Sequence, residues 1–147
     1  MVKSLMKIIL IMGLPGSGKT TLASKLVKLI NAEWINADNV RREANDWDFS
    51  PEGRIRQSKR MLKLAQDLKK SNNVVVDFVC PTHKTREIFN PDFIIWMDTI
   101  KKSKFDDTNK LFERPKNYDV RVTEKNAVFW SKKISNLFNN EKNKSSL

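Results

Sequence analysis

The chain is poor in the residues that build cross-links, metal cages and membrane spans. Its 147 residues include one cysteine, Cys80, and one histidine, His83. A disulfide framework needs at least two cysteines, so none holds this chain together, and a metal site built from several cysteines or several histidines is excluded as well. A lone thiol suits a reducing compartment, and a cytoplasmic protein is expected. No apolar stretch approaches the roughly 18–20 residues of a membrane span. The run Ile8–Met12 goes straight into a glycine loop, so it is expected to be a strand, not a leader or an anchor. Glycine is scarce too: there are four, and Gly13, Gly16 and Gly18 fall within six residues. Acidic residues are outnumbered, 17 against 28 Lys and Arg, which leaves a formal net charge of +11. An anionic partner, a nucleotide or a nucleic acid, fits that balance. Twenty of the 28 are lysines, however, and much of this charge is expected to be solvated surface.

What is present alternates between apolar runs and amphipathic stretches. Lys7–Met12 reads as a strand buried on both faces. Lys19–Ile30 places Leu22, Leu26, Leu29 and Ile30 on one helical face, and Trp34–Asn36 is a short second strand. Pro51 opens a long helix to about Lys70, with Ser50 as its N-cap. Val74–Val79 is a further strand, Thr82–Phe89 a short helix stopped by Pro91, Phe93–Met97 a fourth strand and Val120–Val122 a fifth. Thr123–Asn139 reads as a helix capped by Thr123, whose Ala127, Val128, Trp130, Ile134, Leu137 and Phe138 serve a core. Strands separated by helices predict one three-layer α/β domain over residues 1–138 on a parallel sheet, followed by a frayed polar tail, 139–147.

The chemistry concentrates in Gly13-Leu14-Pro15-Gly16-Ser17-Gly18-Lys19-Thr20, with Thr21 next. This is GxxxxGK[ST] between a strand and a helix, the context of a phosphate-binding P-loop. The glycines let successive N–H groups turn inward onto phosphate oxygens, and the helix adds its positive end. Lys19 is expected on the β/γ-phosphates of ATP and Thr20 on Mg²⁺. The fold expected is therefore that of the P-loop NTPases, in the nucleoside-kinase-like form.

In a parallel sheet the loops after the strands line the ligand crevice. After strand two stand Asp38 and Arg41. Asp38 can deprotonate a hydroxyl and Arg41 can clamp an anion; the alternative is that Asp38 only caps a helix. Val74–Asp77 is an apolar strand ending in a carboxylate, so Asp77 can hold Mg²⁺ through water or join a structural hydrogen-bond network. Cys80 reads as a small buried hydrophobe and His83 as a helix-start or surface residue. The charged segment Thr99–Lys116 reads either as a solvated loop or as a lid bringing Lys101, Lys102, Lys104 and Arg114 to phosphate. As a lid, Thr99–Arg114 is expected to be mobile until nucleotide and acceptor bind.

Together GLPGSGKTT (13–21), NADNVR (36–41), Asn45, Phe49-Ser50, Arg54 and DFVCPTHKTR (77–86) resemble the adenylylsulfate kinase family. The resemblance runs over roughly residues 5–98 and returns at Phe112–Thr123. It implies a P-loop kinase that phosphorylates the 3′-hydroxyl of adenosine 5′-phosphosulfate with MgATP. By that likeness Asp38 sits beside the acceptor hydroxyl, Arg41, Asn45 and Arg54 hold its anionic part, and Phe49 packs on its adenine. Three departures stand out. Asn36 replaces the first acid of the family's Asp-Gly-Asp motif, Gln57 replaces an asparagine, and KKSKFDDTNK (101–110) stands where the family has its arginine lid.

The P-loop and NADNVR stretches are also similar to the kinase domain of polynucleotide kinases, which implies a nucleic-acid end or modified base as the alternative acceptor. A non-catalytic nucleotide switch or small ATPase is the third reading. A homodimer is compatible with all three.

Overall fold

The computed structural model describes residues 6–146, with side chains to residue 140. Residues 1–5 of the expected domain and residue 147 of the expected tail lie outside the described residues. Five strands form one parallel sheet: β1 (Ile8–Gly13), β2 (Glu33–Asn36), β3 (Val74–Asp77), β4 (Phe93–Met97) and β5 (Val120–Val122), in spatial order β2-β3-β1-β4-β5. The central position of β1 explains its unbroken apolar sequence, because both its faces are covered. Side chains alternate across a strand. Ile8, Leu10 and Met12 accordingly enter one core with Val74, Val76, Met61, Ala65 and Phe89, while Ile9 and Ile11 enter the other with Leu22, Leu26, Val75, Ile95, Ile134 and Phe138.

The helices that cover these cores are α1 (Lys19–Ile30), α2 (Ala37–Ala44), α3 (Pro51–Lys69), α4 (His83–Phe89), α5 (Asp106–Leu111) and α6 (Ala127–Ser146). α1 and α6 lie together on one face. Ser50 caps α3 by accepting the Gly53 N–H, as its sequence predicts, and Thr82 caps α4 by accepting that of Thr85. The shortage of glycine has a structural counterpart at the helix ends. Asn31, Asn45 and Asn90 follow α1, α2 and α4 at φ 52°, 50° and 48°, where asparagine takes the left-handed role usually given to glycine. At Gly13 the substitution is not open, because a Cβ would lie 2.7 Å from the Met97 carbonyl oxygen.

Two expectations change at the C-terminus. α6 begins at Ala127, and Asn126, not Thr123, caps it, accepting the Phe129 N–H at 3.2 Å. The polar stretch after Asn139 is helical, since α6 continues to Ser146. α2 and α5 were not distinguished in the sequence. Among the described residues, no helix is long and apolar enough to cross a membrane.

Candidate active site

The phosphate loop connects β1 to α1 at the carboxyl edge of the sheet. Gly18 is the N-cap of α1, left-handed at φ 100°, and no side chain caps the helix, so its first N–H groups stay open towards the cleft. The loop closes on itself through Ser17 N–H to Leu14 O at 3.2 Å, and Thr99 Oγ1 donates to Ser17 O at 2.6 Å from the end of β4. Lys19 is buried, and its Nζ donates to Leu14 O at 2.9 Å. Burial lowers its pKa to about 8, against the opposing pull of the Asp77 and Asp38 carboxylates.

Beside it, β2 and β3 end in register, Asn36 opposite Asp77. Asp77 is buried and accepts from Trp34 Nε1 at 2.6 Å, from Asn36 Nδ2 at 3.1 and 3.3 Å, and from Thr20 Oγ1 at 3.4 Å. Burial raises its pKa, while the Trp34 and Asn36 hydrogen bonds, the Lys19 charge and the Thr20 hydroxyl pull it back. Of the two sequence readings of Asp77, the structure shows the hydrogen-bond network, which reaches the phosphate loop at Thr20.

The cap of α2 is Asn36, whose Oδ1 accepts the Asn39 N–H at 3.1 Å. Asp38 therefore does not cap the helix; it stands in the first turn and lines a cleft of about 860 Å³. Pro15, Gly16, Gly18, Lys19, Thr20 and Thr21 line the same cleft on the phosphate-loop side. Gly13, Leu14 and Ser17 support the loop from beneath, buried and away from the cleft surface.

The expected acceptor residues divide. Phe49 and Arg54 line the cleft; Arg41 and Asn45 do not. Asn45 is the left-handed residue that ends α2. Arg41 is buried, its Nη1 donating to the carbonyls of Asp46 and Asp48 at 2.9 and 3.2 Å, and its guanidinium packs 4.3 Å from the Phe49 ring centroid. It therefore props the Phe49 ring. Arg42, one helical turn from Asp38, is the arginine of α2 that reaches the cleft. Arg54 Nε donates to Phe49 O at 3.0 Å and its Nη2 to Thr108 Oγ1 at 2.8 Å, tying the Phe49 loop to α5. Asp46, held by Arg56 at 2.7 Å and Arg60 at 2.7 Å, has its carboxyl well below the usual range, chiefly through the Arg56 hydrogen bond. This ion pairing pins the loop on which Trp47 and Phe49 ride. Gly53 belongs to the same packing, because a Cβ there would collide with the Asp48 backbone.

The segment read either as a solvated loop or as a lid carries structure of its own. Asn109 ties Ser103 through both backbone and side chain, at 2.7 to 2.9 Å, making a turn that leads into α5. Arg86 Nη2 donates to Glu113 O and holds the far end. Lys101, Lys102 and Lys104 are exposed and do not line the cleft. Arg114 lies over Trp96, 4.8 Å from the ring centroid and 3.9 Å from Asp98 Oδ2. None of the four lid candidates lines the cleft. Phe105 does: it is 56% exposed and lines the cleft with the 45% exposed Phe49.

Besides Phe105 and Arg42, the sequence reading missed Trp47, Asp107, Thr108 and Lys125 as cleft residues. Phe105 and Lys125 follow β4 and β5, and loops after strands of a parallel sheet are the signal that could have flagged them. Lys125 also borders a smaller, mainly apolar cavity of about 240 Å³ between Met97, Val122 and Trp130, which shares Gly18 and Thr21 with the cleft.

The adenylylsulphate kinase family model matches residues 6–94. The chain belongs to the adenylylsulphate kinase family. Its fold is similar to that of the adenylylsulphate (APS) kinase of Mycobacterium tuberculosis in complex with AMPPNP and APS, at 21% identity and TM-score 0.77, over 91% of this chain and 98% of that one. A hexameric APS kinase from Thiobacillus denitrificans is similar at 19% identity and TM-score 0.71, over 92% of this chain and 29% of that one. Shikimate kinase from Aquifex aeolicus follows at 19% and 0.61, over 92% and 97%. No curated protein matches the chain significantly. This member of the family is thus an enzyme, a P-loop kinase that binds ATP and phosphorylates a hydroxyl group.

Proposed function

We propose that the protein transfers the γ-phosphate of MgATP to a hydroxyl of a small anionic nucleotide, adenosine 5′-phosphosulfate or a close relative. The observation that carries this reading is a single cleft holding Lys19, Asp38, Arg54 and the exposed rings of Phe49 and Phe105. Two aromatic faces suit a base, arginines suit its anionic substituent, and a carboxylate beside the phosphate loop suits the reacting hydroxyl. The acceptor oxygen bonds to the γ-phosphorus as the bond to the β–γ bridging oxygen breaks. Asp38 takes the acceptor proton, and ADP leaves. Lys19 and the open N–H groups of α1 meet the charge on the phosphates, so the work of the protein is positioning and electrostatics.

Thr20 and Asp77 fit Mg²⁺. Both offer hard oxygen atoms at the phosphate loop, 3.4 Å apart, and Mg²⁺ characteristically takes one or two carboxylates, waters and phosphate oxygens. Among the described residues there is no cluster of three His, Cys, Asp or Glu that would make a dedicated cage. When bound, the ion neutralises charge on the β- and γ-phosphate oxygens.

Thermal-shift measurements with Mg²⁺ and a non-hydrolysable ATP analogue test the acceptor. Adenosine 5′-phosphosulfate should raise Tm beyond the analogue alone, and Phe105→Ala should remove that increment but keep the analogue's own. An increment from 5′-hydroxyl oligonucleotides and none from the small nucleotide would favour the polynucleotide reading, to which the charge of +11 and the exposed Trp47 lend support.

A further inference from the structure

The four cations expected to serve as a lid do not line the cleft, which leaves open what, besides Lys19, faces the phosphate chain of the donor. Lys125 is the residue in position. It lines both the main cleft and the smaller apolar cavity, and these two spaces meet at Gly18 and Thr21. A nucleotide with its base in the small cavity and its terminal phosphate at Lys19 must pass its phosphate chain through that junction.

The geometry at Gly18 is close. A Cβ on Gly18 would lie 3.9 Å from Lys125 Cγ and 3.5 Å from Met97 Cε, so the lysine stem lies along the N-cap of α1. Its backbone is held before any ligand arrives. β5 ends at Val122, paired with Met97 of β4. The turn that follows is closed by Asn126 N–H to Glu124 O at 2.9 Å, and α6 is fixed by Trp130 N–H to Asn126 O at 3.0 Å and by the Asn126 cap. Among the described residues no hydrogen bond or ion pair occupies the Lys125 ammonium, and the residue is exposed.

We infer that Lys125 is a donor-nucleotide residue: its ammonium contacts the phosphate chain, from a fixed turn and not from a closing lid. The inference rests on the P-loop reading of the same cleft but not on the identity of the acceptor. An ammonium on a rigid turn adds a charge-assisted hydrogen bond to an anion without the cost of ordering a loop. The contact selects for phosphate, so it separates ADP from adenosine.

Isothermal titration calorimetry of ADP and adenosine, without acceptor and at physiological ionic strength, tests this on the full chain. Lys125→Ala should weaken ADP about tenfold, the loss of one charged hydrogen bond in an open site. Adenosine affinity should stay within about twofold, because an uncharged ligand offers the ammonium no anion. Lys125→Arg should keep ADP within about threefold of wild type, since the charge remains. Lys63→Ala, an equal loss of charge on the exposed side of α3, should bind ADP as wild type does. Unchanged ADP affinity in Lys125→Ala would overturn the inference, and so would equal weakening of ADP and adenosine or failure of arginine to restore binding. If wild type itself bound no ADP, the P-loop reading would fall first; if it bound ADP and phosphorylated no small nucleotide, only the proposed acceptor would fall.

Discussion

Replacing Trp34 by phenylalanine isolates the hydrogen bond that most directly sets the charge of Asp77. The indole Nε1 lies 2.6 Å from Asp77 Oδ2, and the only other donor to that oxygen among the described residues is Asn36 Nδ2 at 3.3 Å. Phenylalanine keeps most of the ring and removes the N–H. A hydrogen bond to a charged group contributes about 1.5–3 kcal/mol, and about 1.4 kcal/mol corresponds to one pKa unit. The Asp77 pKa, already raised by burial, should therefore climb by a further unit or so. The direction of the linked stability follows from the sign. A carboxyl whose folded pKa exceeds its unfolded value of 3.8 makes the folded state bind protons more readily, so stability falls as pH rises from about 3.8 through the folded pKa. Trp34→Phe widens that window and lowers stability at neutral pH. Because the ionised carboxylate is the form that serves the phosphate loop, the acid limb of kcat/KM should move to higher pH by about one unit. Phosphorylation rates from pH 5 to 8, with Tm over the same range, make the assay. A uniform drop in rate with an unmoved acid limb would refute the assignment of Trp34 as the residue that positions Asp77.

Two further outcomes are expected. The pKa of about 8 for Lys19 means that ADP affinity should fall as pH rises through about 8 in calorimetric titrations, while stability of the free protein rises between about 8 and its unfolded value of 10.5, the direction for a lysine whose charged form is penalised by burial. Asp38→Asn should lower kcat by roughly 10²–10⁴-fold, the usual contribution of a general base, with ADP affinity kept within about threefold; full activity in this variant would remove Asp38 from the reaction.

The parts of the fold that were legible in the sequence are those set by local chemistry. The apolar run of β1, the glycines after it and Ser50 before Pro51 each carry their own structural reason. What was not legible depends on packing at longer range. Asn126 and Thr123 are both good caps on paper, and the pairing of Val122 with Met97 decides how far β5 runs before α6 begins. α5 has only six residues, and the Ser103–Asn109 hydrogen bonds and the Arg54 contact to Thr108, not an apolar repeat, hold it.

The same contrast runs through the site. Residues of the phosphate loop could be placed because the motif fixes the backbone itself. Arg41 and Arg42 are adjacent, and successive residues on a helix point about 100° apart; only the docking of α2 determines that Arg42 faces the cleft and Arg41 the loop carbonyls. The place after strand two suggested Arg41 as a ligand residue and family likeness added Asn45, and the loop between α2 and α3 uses both for its own support. Lys125 lies 105 residues from Thr20 and shares no motif with it, and only the sheet order that puts β4 beside β1 and β5 beside β4 brings it to Gly18.

The central claim is that one cleft carries phosphate from ATP to a hydroxyl of a small anionic nucleotide. Phosphorus-31 NMR of the full protein with Mg²⁺, ATP and adenosine 5′-phosphosulfate measures this directly, because each product has its own resonance. The expected result is ADP and a new phosphomonoester on the acceptor, appearing in equal amounts and lost together in Lys19→Ala. ADP accompanied only by inorganic phosphate, with the acceptor unchanged, would contradict it.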